Sequence, residues 1–342
     1  MPSRRKKLRF YSIYVPVLLI FFFAVAEILA RVAGYQPWVI KTNNIKVEPG
    51  GRLFEKDATL GYRALPGQFK ITLGGAYVFT ITNLSDASRA THPPDNGNIP
   101  GPKQGLWIFG DSVTYGWSVS DQETFPWLLQ EDFRNYEVVN FATTGYGTLH
   151  SLIQLRAALQ QRKPPRLVIF VYASWLDFRA TPNRRRKKMF ASFMGPVNHP
   201  YASLTGDGKI DISQDPLQYR AFPLVRYSAF MNMLDEIYTK FEEGSFDSHR
   251  VTKAIVKEMA ELCRSNGTEL VVGNLTSNPT TDDMNNYCRS LGVKTVDMFV
   301  DLGIQENSNQ PYDIHPSAIA HRKYEQKLKP FLQDLLANDR QN

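Results

Sequence analysis

The 342-residue chain carries 40 Lys and Arg against 33 Asp and Glu, a formal charge of +7. Ten of the cations lie in two short runs, Arg4, Arg5, Lys6, Lys7 and Arg9 and then Arg184 to Lys188. The rest holds 30 basic against 33 acidic residues, so the overall basicity does not indicate a nucleic-acid partner. A hydrophobic content of 43% excludes a disordered chain and suffices for one large domain with an appendage, while two cysteines and six histidines without ligand spacing give no metal site.

Behind the first basic run, residues Phe10 to Ala26 are almost purely apolar, interrupted by Tyr11, Ser12, Tyr14 and Pro16. Extended to Ala30, the stretch reaches roughly the 20 residues that span a bilayer. Glu27 stands four residues before Arg31, so the two can pair at the far interface. Cations on the N-terminal side keep that end in the cytoplasm and export the rest. The expectation is therefore a single-pass anchor in a bacterial-type inner membrane, with the body in the periplasm. The rival is a secreted protein whose signal peptide is cleaved after Ala24-Val25-Ala26.

Residues 35–104 read as a small β-rich lead-in after the membrane segment, 1–34. Phe69 to Leu73 and Tyr77 to Ile81 are strand-like, and Gly74-Gly75 between them signals a hairpin; His92 to Asn98 reads as a loop. From Leu106 to the predicted end of the body, 105–338, strands and helices alternate. Strands are expected at 106–109, 137–141, 166–172, 269–273 and 294–297. Helices are expected at 123–134, 148–161, 250–264, 281–290 and 317–337. Such alternation implies an α/β fold with a parallel sheet covered by helices on both faces. Residues 178–249 interrupt it as an insertion at the strand ends, with a turn at Gly206-Asp207-Gly208 and a helix near 224–242. The run 184–188 reads as a solvated loop, with an anionic glycan or lipid headgroup as the alternative partner. Cys263 and Cys288 either pair in an oxidising compartment or stay as small buried hydrophobes.

The chemistry is concentrated at two places. The apolar run Leu106 to Phe109 ends in Gly110-Asp111-Ser112, which places a serine hydroxyl at the carboxyl end of the first sheet strand, where open α/β sheets bind ligands. Near the end of the chain stands Asp313-Ile314-His315-Pro316. A serine nucleophile needs a base and an orienter. His315 is the candidate base, and Asp313, two residues away on the same side of an extended segment, is the candidate orienter. Pro316 is expected to open the last helix at its first position. His321 reads as packed or hydrogen-bonded rather than catalytic, and His249 shows no partner pattern. Trp117 and Trp175 read as core or cleft wall.

With these residues in place the sequence resembles the SGNH, or GDSL-type, hydrolase family from about residue 53 to 335. The first block matches Phe109 to Gly116, with Ser112 as nucleophile and its own N–H as an oxyanion donor. The second matches Asn140 to Thr148 and puts the family's oxyanion glycine on Gly145. The last matches Asp313 to Ser317. The lead-in Asp57 to Arg63 with Pro66-Gly67 resembles exported bacterial members with an N-terminal anchor. The resemblance implies a flavodoxin-like three-layer α/β/α domain with a five-stranded parallel sheet. It implies acyl transfer through an acyl-Ser112 intermediate without a cofactor. One block departs. Where the family has Gly-x-Asn-Asp, this chain reads Ala173-Ser174-Trp175-Leu176-Asp177, and leucine cannot donate a hydrogen bond. Ser174 and Asn183 are the candidate substitutes. Expected substrates are O-acetyl groups on envelope or secreted carbohydrate, removed or transferred. The alternatives are a lipolytic esterase or thioesterase, and a non-catalytic glycan-binding or assembly protein of the envelope.

Overall fold

The structure is a computed structural model that describes residues 4–40, 44–93, 104–193, 198–216 and 218–337. It opens with helix α1 (Arg4–Val32), which is almost unburied along the apolar Tyr11–Val32 segment of mean hydropathy 2.5. The expected pair forms, with Arg31 Nε donating to Glu27 Oε1 at 2.7 Å.

The lead-in contains β1 (Ile45–Glu48), the hairpin β2 (Phe54–Asp57) and β3 (Gly61–Ala64), and the hairpin β4 (Gly67–Leu73) and β5 (Tyr77–Asn83). The Gly74-Gly75 turn falls where the sequence puts it. Strands β1, β4 and β5 form an antiparallel sheet. The expected loop at 92–98 lies outside the described residues from Pro94 onward.

Five parallel strands follow: β6 (Gln104–Phe109), β7 (Tyr136–Asn140), β8 (Leu167–Tyr172), β11 (Glu269–Asn274) and β12 (Lys294–Asp297), in the order β12-β11-β8-β6-β7. Between β8 and β11 the hairpin β9 (Asn198–Leu204) and β10 (Ile210–Pro216) stands apart from this sheet. Every residue of central β8 is buried, which is why it reads as a continuous apolar run rather than an alternating one. The helices are α2 (Ser112–Tyr115), α3 (Phe125–Asp132), α4 (Thr148–Gln161), α5 (Asp177–Ala180), α6 (Arg184–Phe193), α7 (Ala229–Glu243), α8 (Ser248–Ser265), α9 (Pro279–Ser290) and α10 (Ala318–Ala337). Helices α3 and α10 pack together on one flank and α4, α5 and α8 on the other. All five expected strands and five expected helices are present within a few residues of their predicted ends.

Two expectations need correction. The run Arg184 to Lys188 is not a loop but the start of α6, and the Arg184 and Arg186 side chains are buried. Arg184 and Lys188 pair with Asp235 and Arg186 donates to Gly145 O, while Arg185 keeps an exposed pair with Glu243. The last helix begins at Ala318, because Pro316 is tied into a bridge with Ser308 and Ser317 Oγ accepts from Ala320 N–H at 3.3 Å. Of the two readings left open for the cysteines, the structure has the second: Cys263 and Cys288 are free, buried thiols.

A single buried arginine joins the lead-in to the sheet. Arg89 bridges Asn83 and edge-strand residue Asn140 through its backbone. Its guanidinium donates to Asp121 Oδ1 at 3.0 Å, to Tyr115 O at 2.7 Å, to Val119 O at 2.8 Å and to Gly116 O. Those carbonyls belong to the segment just after Ser112, so the lead-in braces the loop that carries the serine.

Candidate active site

Ser112 opens α2 at the carboxyl end of β6. The turn is tight: a Cβ at Gly110 would collide with the Thr114 side chain. Asp111 caps α2, its Oδ1 accepting the Val113 N–H at 3.0 Å. Asp111 Oδ2 accepts from Trp175 Nε1 and from Arg179 Nη1, each at 2.9 Å, which locks the turn to the loop after β8.

The loop after β12 brings the other half. His315 Nε2 lies 2.9 Å from Ser112 Oγ, and His315 Nδ1 lies 2.5 Å from Asp313 Oδ1. The His315 N–H also reaches Asp313 Oδ1, at 2.8 Å, so the carboxylate grips ring and backbone together. Trp117 Nε1 donates to Asp313 Oδ2 at 3.3 Å. Burial alone would raise the Asp313 carboxyl. The bonds and charge from His315, with the indole N–H, outweigh it and hold the group below the usual carboxylate range. The His315 side chain keeps 26% of its surface open, whereas the Ser112 residue keeps 5%. Solvent therefore reaches the imidazole while the hydroxyl is shielded.

Gly145 sits in the loop after β7, with φ of 81°, a left-handed conformation that glycine adopts without steric cost. The carbonyls around it are all engaged. Thr144 O accepts from Tyr62 Oη at 2.6 Å, Gly145 O from Arg186 Nη1 at 2.9 Å, and Tyr146 O from Arg179 Nη1 at 2.9 Å. With each C=O pulled inward, the Gly145 N–H is left without an acceptor among the described residues, and so is the Ser112 N–H. Open backbone donors on the loops after β6 and β7 are groups that can hold a developing oxyanion.

The third block behaves as its departure implies. Leu176 is 1% exposed and belongs to the main apolar core. Of the two candidate substitutes, Asn183 is fully engaged, while Ser174 keeps its hydroxyl hydrogen uncommitted among the described residues. Both amide hydrogens of Asn183 are committed, to Phe178 O at 2.6 Å and Thr181 Oγ1 at 2.9 Å. Ser174 donates its N–H to Thr276 Oγ1 at 3.1 Å and its Oγ accepts from Asn278 Nδ2 at 2.9 Å. What this block sends to the site is Trp175 and Arg179, through Asp111.

The sequence reading missed Arg89, Arg179, Arg186 and Tyr62 as supports of the site, and took Trp117 and Trp175 for wall residues. Nothing in a single sequence marks a buried arginine inside a cationic run. His249 also has partners that spacing did not reveal: its Nδ1 lies 2.8 Å from Asp177 Oδ2 and its Nε2 lies 2.8 Å from Asp283 Oδ2. His321 is packed as expected, its Nδ1 accepting the Phe125 N–H at 3.2 Å. Among the described residues no cluster of His, Cys, Asp and Glu could hold a metal ion.

Comparison with known protein families and with curated proteins finds no match. Solved structures do resemble the chain. TesA is 16% identical, with 68% of this chain and 99% of that one covered at a TM-score of 0.40. A member of the lipolytic protein G-D-S-L family from Veillonella parvula DSM 2008 is 11% identical, with 66% and 95% covered at 0.38. A family two carbohydrate esterase from Clostridium thermocellum, solved in complex with cellohexaose, is 12% identical, with 70% and 66% covered at 0.41. The sheet order β12-β11-β8-β6-β7 is that of a parallel α/β fold, with Ser112 directly after β6 and Gly145 in the loop after β7.

Proposed function

We propose that this protein is a serine ester hydrolase acting by acyl transfer, and that its body, residues 105–338 with the insertion 178–249, is held to a membrane by residues 1–34 and braced by the lead-in 35–104. The observation that carries the reading is the continuous Ser112–His315–Asp313 hydrogen-bond chain. Ser112 Oγ attacks the ester carbonyl carbon while His315 Nε2 takes its proton, and Asp313 holds the imidazole in the required tautomer. The negative charge that develops on the carbonyl oxygen is met by the N–H groups of Ser112 and Gly145. Collapse expels the alcohol, which leaves with the proton from His315, and the acyl group stays on Ser112. Water, deprotonated by His315, then releases the acid. A sugar hydroxyl in place of that water makes the enzyme an O-acetyltransferase. Export across the membrane favours O-acetyl groups on envelope or secreted carbohydrate as the substrate. With Leu176 in the core, the oxyanion has two backbone donors, and unless the Ser174 hydroxyl supplies the third, turnover is lower by about 10²–10³.

The test is ester hydrolysis by the full-length protein in detergent, using p-nitrophenyl acetate and longer-chain esters beside the Ser112→Ala variant. Wild type turns over and the variant falls by at least about 10³-fold. A preference for acetyl identifies the carbohydrate reading, and a preference for long chains the lipolytic one. Equal inactivity of both proteins on all chain lengths and on acetylated glycans refutes the enzyme. The anchor is tested separately by the mature N-terminus: a protein beginning at Glu27 refutes it.

A further inference from the structure

Helix α7 is amphipathic in the inverse sense to a helix of a soluble domain. It turns Ala229, Asn232, Asp235 and Thr239 inward, three of them polar. That side is held by polar contacts: Asn232 Nδ2 donates to Gln36 O at 2.8 Å, and Lys188 Nζ to Asp235 Oδ2 at 3.0 Å. The outward side carries Phe230, Leu234, Ile237 and Phe241 at helical spacing, flanked by Met233 and Tyr238. Ile237, Tyr238 and Phe241 are 52%, 45% and 79% exposed.

This stripe begins at the membrane helix. The ring of Phe230 meets that of Phe23 edge-on at 5.8 Å, and Phe23 lies inside the apolar span. One turn further along α1, the Glu27 carboxylate caps the start of α7. It accepts from Ser228 Oγ at 2.6 Å and from the N–H groups of Ala229 and Phe230 at 3.0 Å each. A carboxylate near the end of a span needs such partners, and here they come from the helix with the apolar outer face. The approach to α7 is open and exposes Leu224 and Tyr227, at 55% and 80%, beside Arg220 and Arg226.

We propose that the outward face of α7 rests on the outer surface of the bilayer that α1 crosses, as an interfacial helix lying in the headgroup region. The proposal rests on the anchor reading above and extends it to the insertion. Lipid is the occupant because the stripe is continuous with the span through Phe230 and Phe23. Charge plays no attractive part: α7 holds Asp235, Glu236, Glu242 and Glu243 against Lys240, so the contact is apolar and does not require anionic lipid.

The test uses the full-length protein in phosphatidylcholine vesicles, with a nitroxide on a single introduced cysteine in Ile237→Cys, Phe241→Cys, Leu19→Cys or Lys257→Cys. The native thiols are buried; Leu19 is 63% exposed on α1, and the Lys257 side chain is 54% exposed on α8. Labels at 237, 241 and 19 collide with oxygen in preference to a water-soluble nickel chelate, and the label at 257 shows the reverse. Water-like labels at 237 and 241 beside a lipid-exposed label at 19 overturn the docking and leave the anchor standing. A water-exposed label at 19 overturns the anchor and the docking with it. Spin–spin broadening at 241 without oxygen preference shows that a second copy covers the face, which also overturns the proposal.

Discussion

Replacing Arg186 with methionine keeps the length of the side chain and removes its charge. In the structure Arg186 Nη1 donates to Gly145 O at 2.9 Å, its side chain lies against Phe190, and Nη2 is buried with no partner. Burial pushes its guanidinium well below the usual arginine range; the Tyr62 hydroxyl opposes this and the Arg179 charge adds to it. No carboxylate is among these influences, so the cation is held in the interior at a desolvation cost of several kcal/mol without a counter-ion. Losing its hydrogen bond costs about 1.5–3 kcal/mol. The two roughly cancel, so Arg186→Met melts at or above the wild-type temperature. Activity moves the other way. Gly145 loses the bond that fixes its carbonyl and, with it, the support of the loop that carries its N–H; in the proposed mechanism the weakened oxyanion donor lowers kcat by up to about 10²–10³ with KM little changed. Thermal unfolding by circular dichroism and p-nitrophenyl acetate turnover read the two effects. Arg185→Met, on a 54% exposed side chain paired with Glu243, is the control and leaves both unchanged. A wild-type kcat in Arg186→Met refutes the positioning role, and a large loss of stability refutes the charge argument.

Leu176→Asn writes the family's usual residue back into the third block, yet the structure predicts no gain in turnover. The side chain at 176 points into the core, so the amide is buried away from Ser112 and costs roughly 2–5 kcal/mol in lost apolar burial and unmet hydrogen bonds. A rise in kcat at wild-type stability refutes this placement of Leu176. His249 gives a pH signature. Its hydrogen bond to Asp177 raises its pKa, burial opposes this, and the bond to Asp283 adds to the rise. A histidine whose pKa is raised on folding contributes stability that is full below about pH 6.5 and disappears as pH rises through the folded value. The stability difference between wild type and His249→Gln is therefore larger at about pH 6 than at about pH 9, and a difference that grows with pH refutes the ion-pair reading.

What was legible in the sequence was what local pattern encodes. The run Leu167 to Tyr172 is apolar because β8 is buried on both faces, and the Gly-Asp-Ser break follows β6 because the chain must turn there into α2. Asp313 and His315 were legible because their contact is local, two residues apart. Arg186 was not, because its partner Gly145 lies 41 positions away and its neighbours in the run are cations with other fates. Arg185 faces solvent beside Glu243, while Arg184 pairs with Asp235. A charge run fixes composition but not the direction of each side chain, which helix periodicity and the tertiary neighbours decide. For the same reason α7 was found by its periodicity, while which side of its stripe faced inward was not.

Those long-range contacts give the insertion a role that no segment of it shows alone. Glu27 of the membrane helix caps α7. Asp235, two turns into α7, pairs with Arg184 and Lys188 of α6 and accepts from Tyr219 Oη. From the same α6, Arg186 reaches Gly145. Helix α1, α7, α6 and the loop of Gly145 are thus joined end to end by charged or charge-assisted contacts, three of which converge on the fully buried carboxylate of Asp235. A loop connecting the same points would let the body tumble on its tether. This bracket instead ties α1 to the loop that carries Gly145, and under the proposed anchor it sets how the serine faces the membrane. Cutting the bracket at Asp235→Asn leaves Arg184 and Lys188 without their shared carboxylate. It lowers turnover of a membrane-proximal acetylated glycan more than turnover of p-nitrophenyl acetate, and equal losses on both substrates refute an orienting role for the insertion.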